Sequence, residues 1–206
     1  MTKYFMRIPR WFQNIFSSYT WHIPNSNNTL FLTFDDGPTE EITSWVLAVL
    51  KKYDIRATFF IIGDKISKAP NLYNILKNTD HQIGNHSFNH LVGWYCKNQK
   101  YIENINKCQP FASSKLFRPP HGRIKPSQAK QLQQQGYKIV MWDVLSGDYD
   151  RNLSSEYCLE RLKKNTKPGS IIVFHDSVKA EKHLKAILEP FILWAIKKGY
   201  SFGKLE

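Results

Sequence analysis

Short apolar, β-favouring runs alternate along this chain with segments of helical period. That alternation limits the fold more than any other feature. LFLTF (Leu30 to Phe34) reads as a strand, followed by a helix over Glu41 to Tyr53. The helix has Ile42, Trp45, Val46, Val49, Leu50 and Tyr53 on one face and Thr39 placed as its N-cap. ATFFII, from Ala57, is apolar throughout, as expected of a strand covered on both faces. Downstream, helices are expected over Pro70 to Lys77, Asn98 to Cys108, Pro126 to Gln135 and, capped by Ser154 or Ser155, up to Lys164. Strands are expected over His81 to Gly84, Lys115 to Arg118, Tyr137 to Trp142 and Ser170 to Phe174. A long helix over Lys179 to Lys198 contains Pro190, which should bend or split it, and Tyr200 to Lys204 supplies a seventh strand. Such an order requires parallel strands joined by crossovers, in an open sheet or a barrel. About seven units in one small domain fit the barrel better.

The length of 206 residues suits one domain with a sizeable core, and thirteen Phe, ten Tyr and six Trp argue against disorder. Residues 29–206 form that domain, and residues 1–28 read as a lead-in segment packed on it. Cys96, Cys108 and Cys158 make no C-x-x-C, so they are expected to be buried or free thiols in a reducing compartment. No apolar run reaches the ~20 residues of a membrane span, and the N-terminus lacks the apolar core of a signal peptide. The cytoplasm is therefore the expected location. Lys3, Arg7 and Arg10 among Phe5, Ile8, Trp11, Phe12, Ile15 and Phe16 suit peripheral contact with the inner membrane face. The net charge of +12 is spread along the chain rather than gathered in a block. Charge is the sole argument for a nucleic-acid binder, and with no binding motif to support it, nucleic acid is not an expected partner.

Polar clusters fall just after the expected strands: Asp35 and Asp36 in TFDDGP, His86 and His90 in HSFNH, and Arg118 in FRPPHG. Asp143 and Asp148 in WDVLSGD and His175 and Asp176 in IIVFHD complete the series. In a β/α barrel the loops after the strands build the active site, so these side chains should converge on one rim. His86 and His90, at i and i+4, would share a face of a helix or helical turn as metal-ligand pairs do. Two His with an acidic third ligand leave positions open for water and substrate. If Asp36 binds a cation, the repulsion between the adjacent aspartates is offset and Asp35 is free to act as a base.

These motifs together resemble the polysaccharide deacetylases, the NodB-homology domain of carbohydrate esterase family 4, from about Leu30 to Asp176. The resemblance implies a distorted (β/α)7 barrel and hydrolysis of a carbon–nitrogen bond that is not a peptide bond. It implies that the groups removed are N-acetyl, or also O-acetyl, groups of a glycan. It implies a divalent metal, usually Zn²⁺ with Co²⁺, Ni²⁺, Mn²⁺ or Fe²⁺ as alternatives, held by Asp36, His86 and His90. Asp35 is then the base, oriented by Arg118, and His175 the acid, held protonated by Asp148. Pro119 and His121 in RPPHG and Tyr149 contribute to substrate binding, the His121 N–H as oxyanion donor. His121 stands where the family usually has Tyr, Tyr149 where it has Trp, and Leu145 where it has Asp. Those departures are the basis for an alternative, a non-catalytic carbohydrate-binding relative. His22, His81 and His183 fall outside the motifs and are expected at the surface or hydrogen-bonded, and Met141 and Trp142 in the core, with Trp142 near the rim.

Overall fold

The computed structural model describes residues 9–24 and 27–206. At its centre lies β1 (Thr29–Asp35), paired in parallel with β2 (Thr58–Ile61) on one edge and β7 (Ile171–His175) on the other. Beyond β2 the sheet runs through β3 (Gln82–Asn85), β4 (Leu116–Phe117) and β5 (Lys138–Ile139). Beyond β7 it reaches β6 (Val144–Leu145). Only Val140 to Asp143 separates β5 from β6, so one stretch of chain joins the two ends of the sheet into a ring. β8 (Ser201–Gly203) pairs with Thr29 to Phe31, below the part of β1 that pairs with β2. With β5 and β6 counted as one interrupted strand, the fold is a distorted (β/α)7 barrel.

The interruption departs from the continuous strand expected over Tyr137 to Trp142. There the Thr20 N–H donates to the Ile139 carbonyl and the Met141 N–H to that of Thr20, while Arg118 Nε and Nη2 donate to the carbonyls of Val140 (3.4 Å) and Met141 (3.0 Å). Beyond Arg118, Pro119 and Pro120 have no N–H with which β4 could extend the ladder.

The helices are α1 (Arg10–Ile15), α2 (Glu40–Lys52), α3 (Gly63–Ile66), α4 (Pro70–Lys77), α5 (Asn98–Cys108), α6 (Pro126–Gln134), α7 (Ser155–Asn165) and α8 (Glu181–Lys197). The expected apolar face of α2 is the face that packs: Ile42, Val46, Val49 and Leu50 are buried, with Trp45 and Tyr53 against them. Thr39 occupies the N-cap position, yet its side chain does not cap; its own N–H donates to Thr43 Oγ1 (2.8 Å). Ser154 does cap α7, accepting from the Tyr157 N–H (3.1 Å). Pro190 does not split α8. Pro190 and Ala186 are both exposed, so the carbonyl that loses its donor sits on the solvent side.

Alternation along the strands sorts the core into layers. Leu30, Leu32 and Phe34 of β1 face the helices with Phe59, Ile61, Ile172 and Phe174. Phe60 and Ile171 belong to the inner cluster with Leu116, Val140 and Leu205, against which Phe31 packs. A third cluster joins Tyr101, Phe117, Leu132 and Ile139 to Trp21, with Phe16 and Tyr19 packed against it. Thr20 and His22 bridge to Val140 and Ser170. Membrane contact through Lys3, Phe5, Arg7 and Ile8 falls outside the described residues; on α1, Trp11 and Ile15 are exposed. Among the described residues no helix is long and apolar enough to cross a membrane. The three cysteines are free.

Candidate active site

Period-2 alternation carries Thr33 and Asp35 of β1 inward, and Val173 and His175 of β7 likewise. The parallel register sets Asp35 beside His175 at the carboxyl ends of both strands. Both line a cavity of about 560 Å³ together with Asp36, His86, His90, Pro119, His121 and Tyr149. Side chains from all five strand-end clusters therefore reach one rim, although Arg118, Asp143, Asp148 and Asp176 do not line it.

Asp36, His86 and His90 each offer a ligand atom, and these atoms all lie within 4.8 Å of one another. His90 Nε2 is 3.2 Å and His86 Nε2 3.7 Å from Asp36 Oδ1. The Nδ1 of His86 is 2.7 Å from the Arg118 carbonyl, which fixes the ring and leaves Nε2 for a ligand. Burial lowers the pKa of His86 to about 4, so the imidazole is neutral at pH 7, the form that binds cations. Burial would raise the Asp36 carboxyl. The hydrogen bond from His90 and the charges of His175, His86 and His90 outweigh it and hold the group well below the usual carboxylate range. Two imidazoles and one ionised carboxylate suit a divalent transition metal.

HSFNH is not helical, contrary to expectation; its two His converge by another route. Ser87 (φ 67°) and His90 (φ 55°) adopt left-handed backbone. The loop is fastened by side chains: Asn85 Oδ1 accepts from the Ser87 N–H (2.8 Å), and Asn104 Oδ1 from those of Phe88 (2.9 Å) and Asn89 (3.1 Å). Asp36 (φ 77°) and His121 (φ 56°) are left-handed as well. Four of the six non-glycine residues with positive φ among the described residues thus sit in the loops of this cavity, where surrounding contacts must hold them. Gly37 is required by closeness: a Cβ there would lie 2.0 Å from Asp176 Oδ2.

Beneath the cavity, Arg118 is fully buried, stacked 4.1 Å over the Phe60 ring. Its Nη1 donates to Asp35 Oδ1 and to Thr33 Oγ1, both at 2.7 Å. On the opposite side, Asp148 accepts from the His175 N–H at Oδ2 (2.7 Å) and holds His175 Nδ1 at Oδ1 (2.8 Å). Burial opposes charge on His175, but Asp148, aided by Asp36 and Asp35, raises its pKa to about 9. Tyr149 meets the His175 ring edge-on, with centroids 5.0 Å apart, and His121 meets His90 at 4.9 Å.

Asp143 and Asp176 do not join the rim. Asp143 accepts from the Ile171 N–H (2.9 Å) and Ser170 Oγ (3.1 Å) at the start of β7. Asp176 is buried, with Thr43 Oγ1 donating to it, and burial raises its pKa to about 7. His22 pairs with Asp143, His183 with Ser155, and His81 accepts from the Ala57 N–H. Met141 is buried as expected, and Trp142, expected near the rim, lines the cavity. Sequence reasoning missed Thr33 and Phe60, which hold Arg118, and Arg123 and Lys179 in the cavity wall. The inward phase of Thr33 and Phe60 is legible from alternation; Arg123 and Lys179 carry no such signal.

A family model described as polysaccharide deacetylase matches residues 22–140. A peptidoglycan-N-acetylglucosamine deacetylase of Bacillus cereus is 33% identical over 189 residues, 89% of either chain. The peptidoglycan-N-acetylmuramic acid deacetylase PdaA of Bacillus subtilis is 29% identical over 187 residues, 86% of this chain and 70% of the relative. The crystal structure of the Bc1960 peptidoglycan N-acetylglucosamine deacetylase has a TM-score of 0.86 at 30% identity, covering 94% of both chains.

Proposed function

This chain belongs to the polysaccharide deacetylase family, and on that premise we propose that it is a metal-dependent hydrolase removing N-acetyl groups from the amino sugars of a peptidoglycan-type glycan. One observation carries the reading: Asp35, Asp36, His86, His90 and His175 line one cavity, with Arg118 buried against Asp35 and Asp148 buried against His175.

A divalent cation, with zinc the first candidate, would be held by Asp36, His86 and His90 and would supply Lewis acidity to water and to the acetyl carbonyl. Asp35 takes the proton of the attacking water, its carboxylate oriented by Arg118 Nη1. The N–H of His121 donates to the oxygen that becomes negative. His175 then gives a proton from Nε2 to the leaving amine, since Nδ1 is committed to Asp148. Tyr149 and Pro119, with Trp142 and Leu145, wall the acetyl group off from bulk water. Acetate and a free amino sugar result.

Acetate release from N-acetylglucosamine oligomers, measured with and without Zn²⁺, tests the reading. Metal-dependent release that Asp36→Ala abolishes is expected. No release from metal-loaded protein would point instead to the non-catalytic role that His121 and Tyr149 suggest.

A further inference from the structure

Lys179 lines two cavities. One is the candidate active site; the other, about 880 Å³, opens between the start of α7 and the start of α8 and is lined by Arg151 and Lys182 together with Glu156 and Glu181. Lys185 of that second cavity is spent on Glu181 (2.6 Å). Arg151, Lys179 and Lys182 have no carboxylate within ion-pair distance among the described residues, and neither has Arg123 in the wall of the first cavity. The two carboxylates lining the first cavity are already engaged, Asp35 by Arg118 and Asp36 by the His pair. Arg123 follows β4 and Lys179 follows β7, the strands joined by the 138–145 stretch, so they flank Trp142 and Leu145. Each lies near an aromatic face: Arg123 is 5.5 Å from the Trp94 ring centre and Lys179 5.7 Å from that of Tyr149. Trp94 is 53% and its neighbour Tyr95 78% exposed, which leaves flat apolar surface on which a sugar ring can stack.

We propose that Arg123, Lys179, Arg151 and Lys182 are specificity-determining residues that select a glycan whose sugars carry carboxylates, bound across both cavities. The inference rests on the deacetylase reading for placing the reacting sugar between them. Cations without an ion-pair partner beside aromatic rings match an alternation of neutral and anionic sugars, and the net charge of +12 draws such a polymer in.

The test compares two tetrasaccharides: a neutral one of N-acetylglucosamine, and one alternating N-acetylglucosamine with N-acetylmuramic acid whose lactyl carboxylates are free. Kd and kcat/KM are measured for each with the full chain loaded with Zn²⁺. A preference for the anionic substrate of about tenfold or more is expected, shrinking as salt rises from 50 to 500 mM. Lys179→Met and Arg151→Met should each reduce that preference about threefold. Lys179→Arg should keep it, and so should Lys77→Met on α4, outside both cavities. Equal use of both substrates, or equal losses on both in the variants, overturns the proposal. Absence of turnover on both substrates sinks the deacetylase reading alone, because Kd still decides the cationic track. Tighter binding of the anionic tetrasaccharide that Lys179→Met weakens upholds it, and indifferent binding overturns it.

Discussion

Arg118→Met should cost about 3–5 kcal/mol of folding stability, the range for breaking a buried ion pair by removing one partner. The guanidinium is fully buried and serves Asp35, Thr33, Val140 and Met141 at once. Methionine replaces much of the stem and keeps contact with Phe60, so little cavity is opened. The loss comes from the Asp35 carboxylate, 4% exposed and left without its cation. Against a total stability of about 5–15 kcal/mol this is a large fraction. Urea unfolding of metal-free protein at neutral pH measures it, as a shift in midpoint at constant m. The double variant Asp35→Asn, Arg118→Met supplies the control. With the charge gone, it should be more stable than Arg118→Met alone by about 2 kcal/mol. A loss below about 1 kcal/mol in the single variant, or no recovery in the double, would refute the view that the arginine's main structural task is to neutralise Asp35.

Gly37→Ala should destabilise by about 1–3 kcal/mol through the clash with Asp176. Part of that loss should return in an Asp176→Ala background, and a thermal melt showing no such recovery would count against the clash. In metal-free protein, His175 is raised from 6.5 to about 9, so the folded chain retains a proton that the unfolded chain releases. Its contribution is full below pH 6.5 and lost as pH rises through about 9. Asp148→Asn should flatten this decline in Tm between pH 7 and 9; identical slopes would show that the pair is not its source. Zn²⁺ at a hundredfold its Kd should stabilise the protein by about 2.7 kcal/mol, and Asp36→Ala should remove that gain. A melt of the variant that still responds fully to zinc would place the cation elsewhere.

Much of the site could be read because each cluster follows a strand and parallel strands all end on one rim. TFDDGP and HSFNH needed no more than that to be brought together. The helices α4 and α5 fell where their period and flanking signals placed them, over Pro70–Lys77 and Asn98–Cys108. What stayed hidden depends on contacts distant in sequence. Tyr137 to Trp142 reads as one strand, because nothing local reveals that the distant Thr20 and Arg118 bond its backbone. The spacing of His86 and His90 suggested a helix, whereas Asn85 and the distant Asn104 bend the segment into a loop. Asp143 looked like a rim residue from its place after a strand, yet β6 begins directly after it and turns it toward Ser170. Arg123 and Lys179 belong to no period or motif.

The stretch over 138–145 touches both ends of the sheet, and it works like the buckle of a belt. Shortening or lengthening a surface loop elsewhere leaves the circumference unchanged. A single residue added between Val140 and Asp143 alters the fastening itself, displacing Trp142 and pulling on the run that leads to Asp148 and Tyr149. The pocket wall and the partner of His175 therefore move together. Variation in the glycan accepted by such a chain has its freest ground in the loops that carry Arg123 and Lys179, outside the buckle.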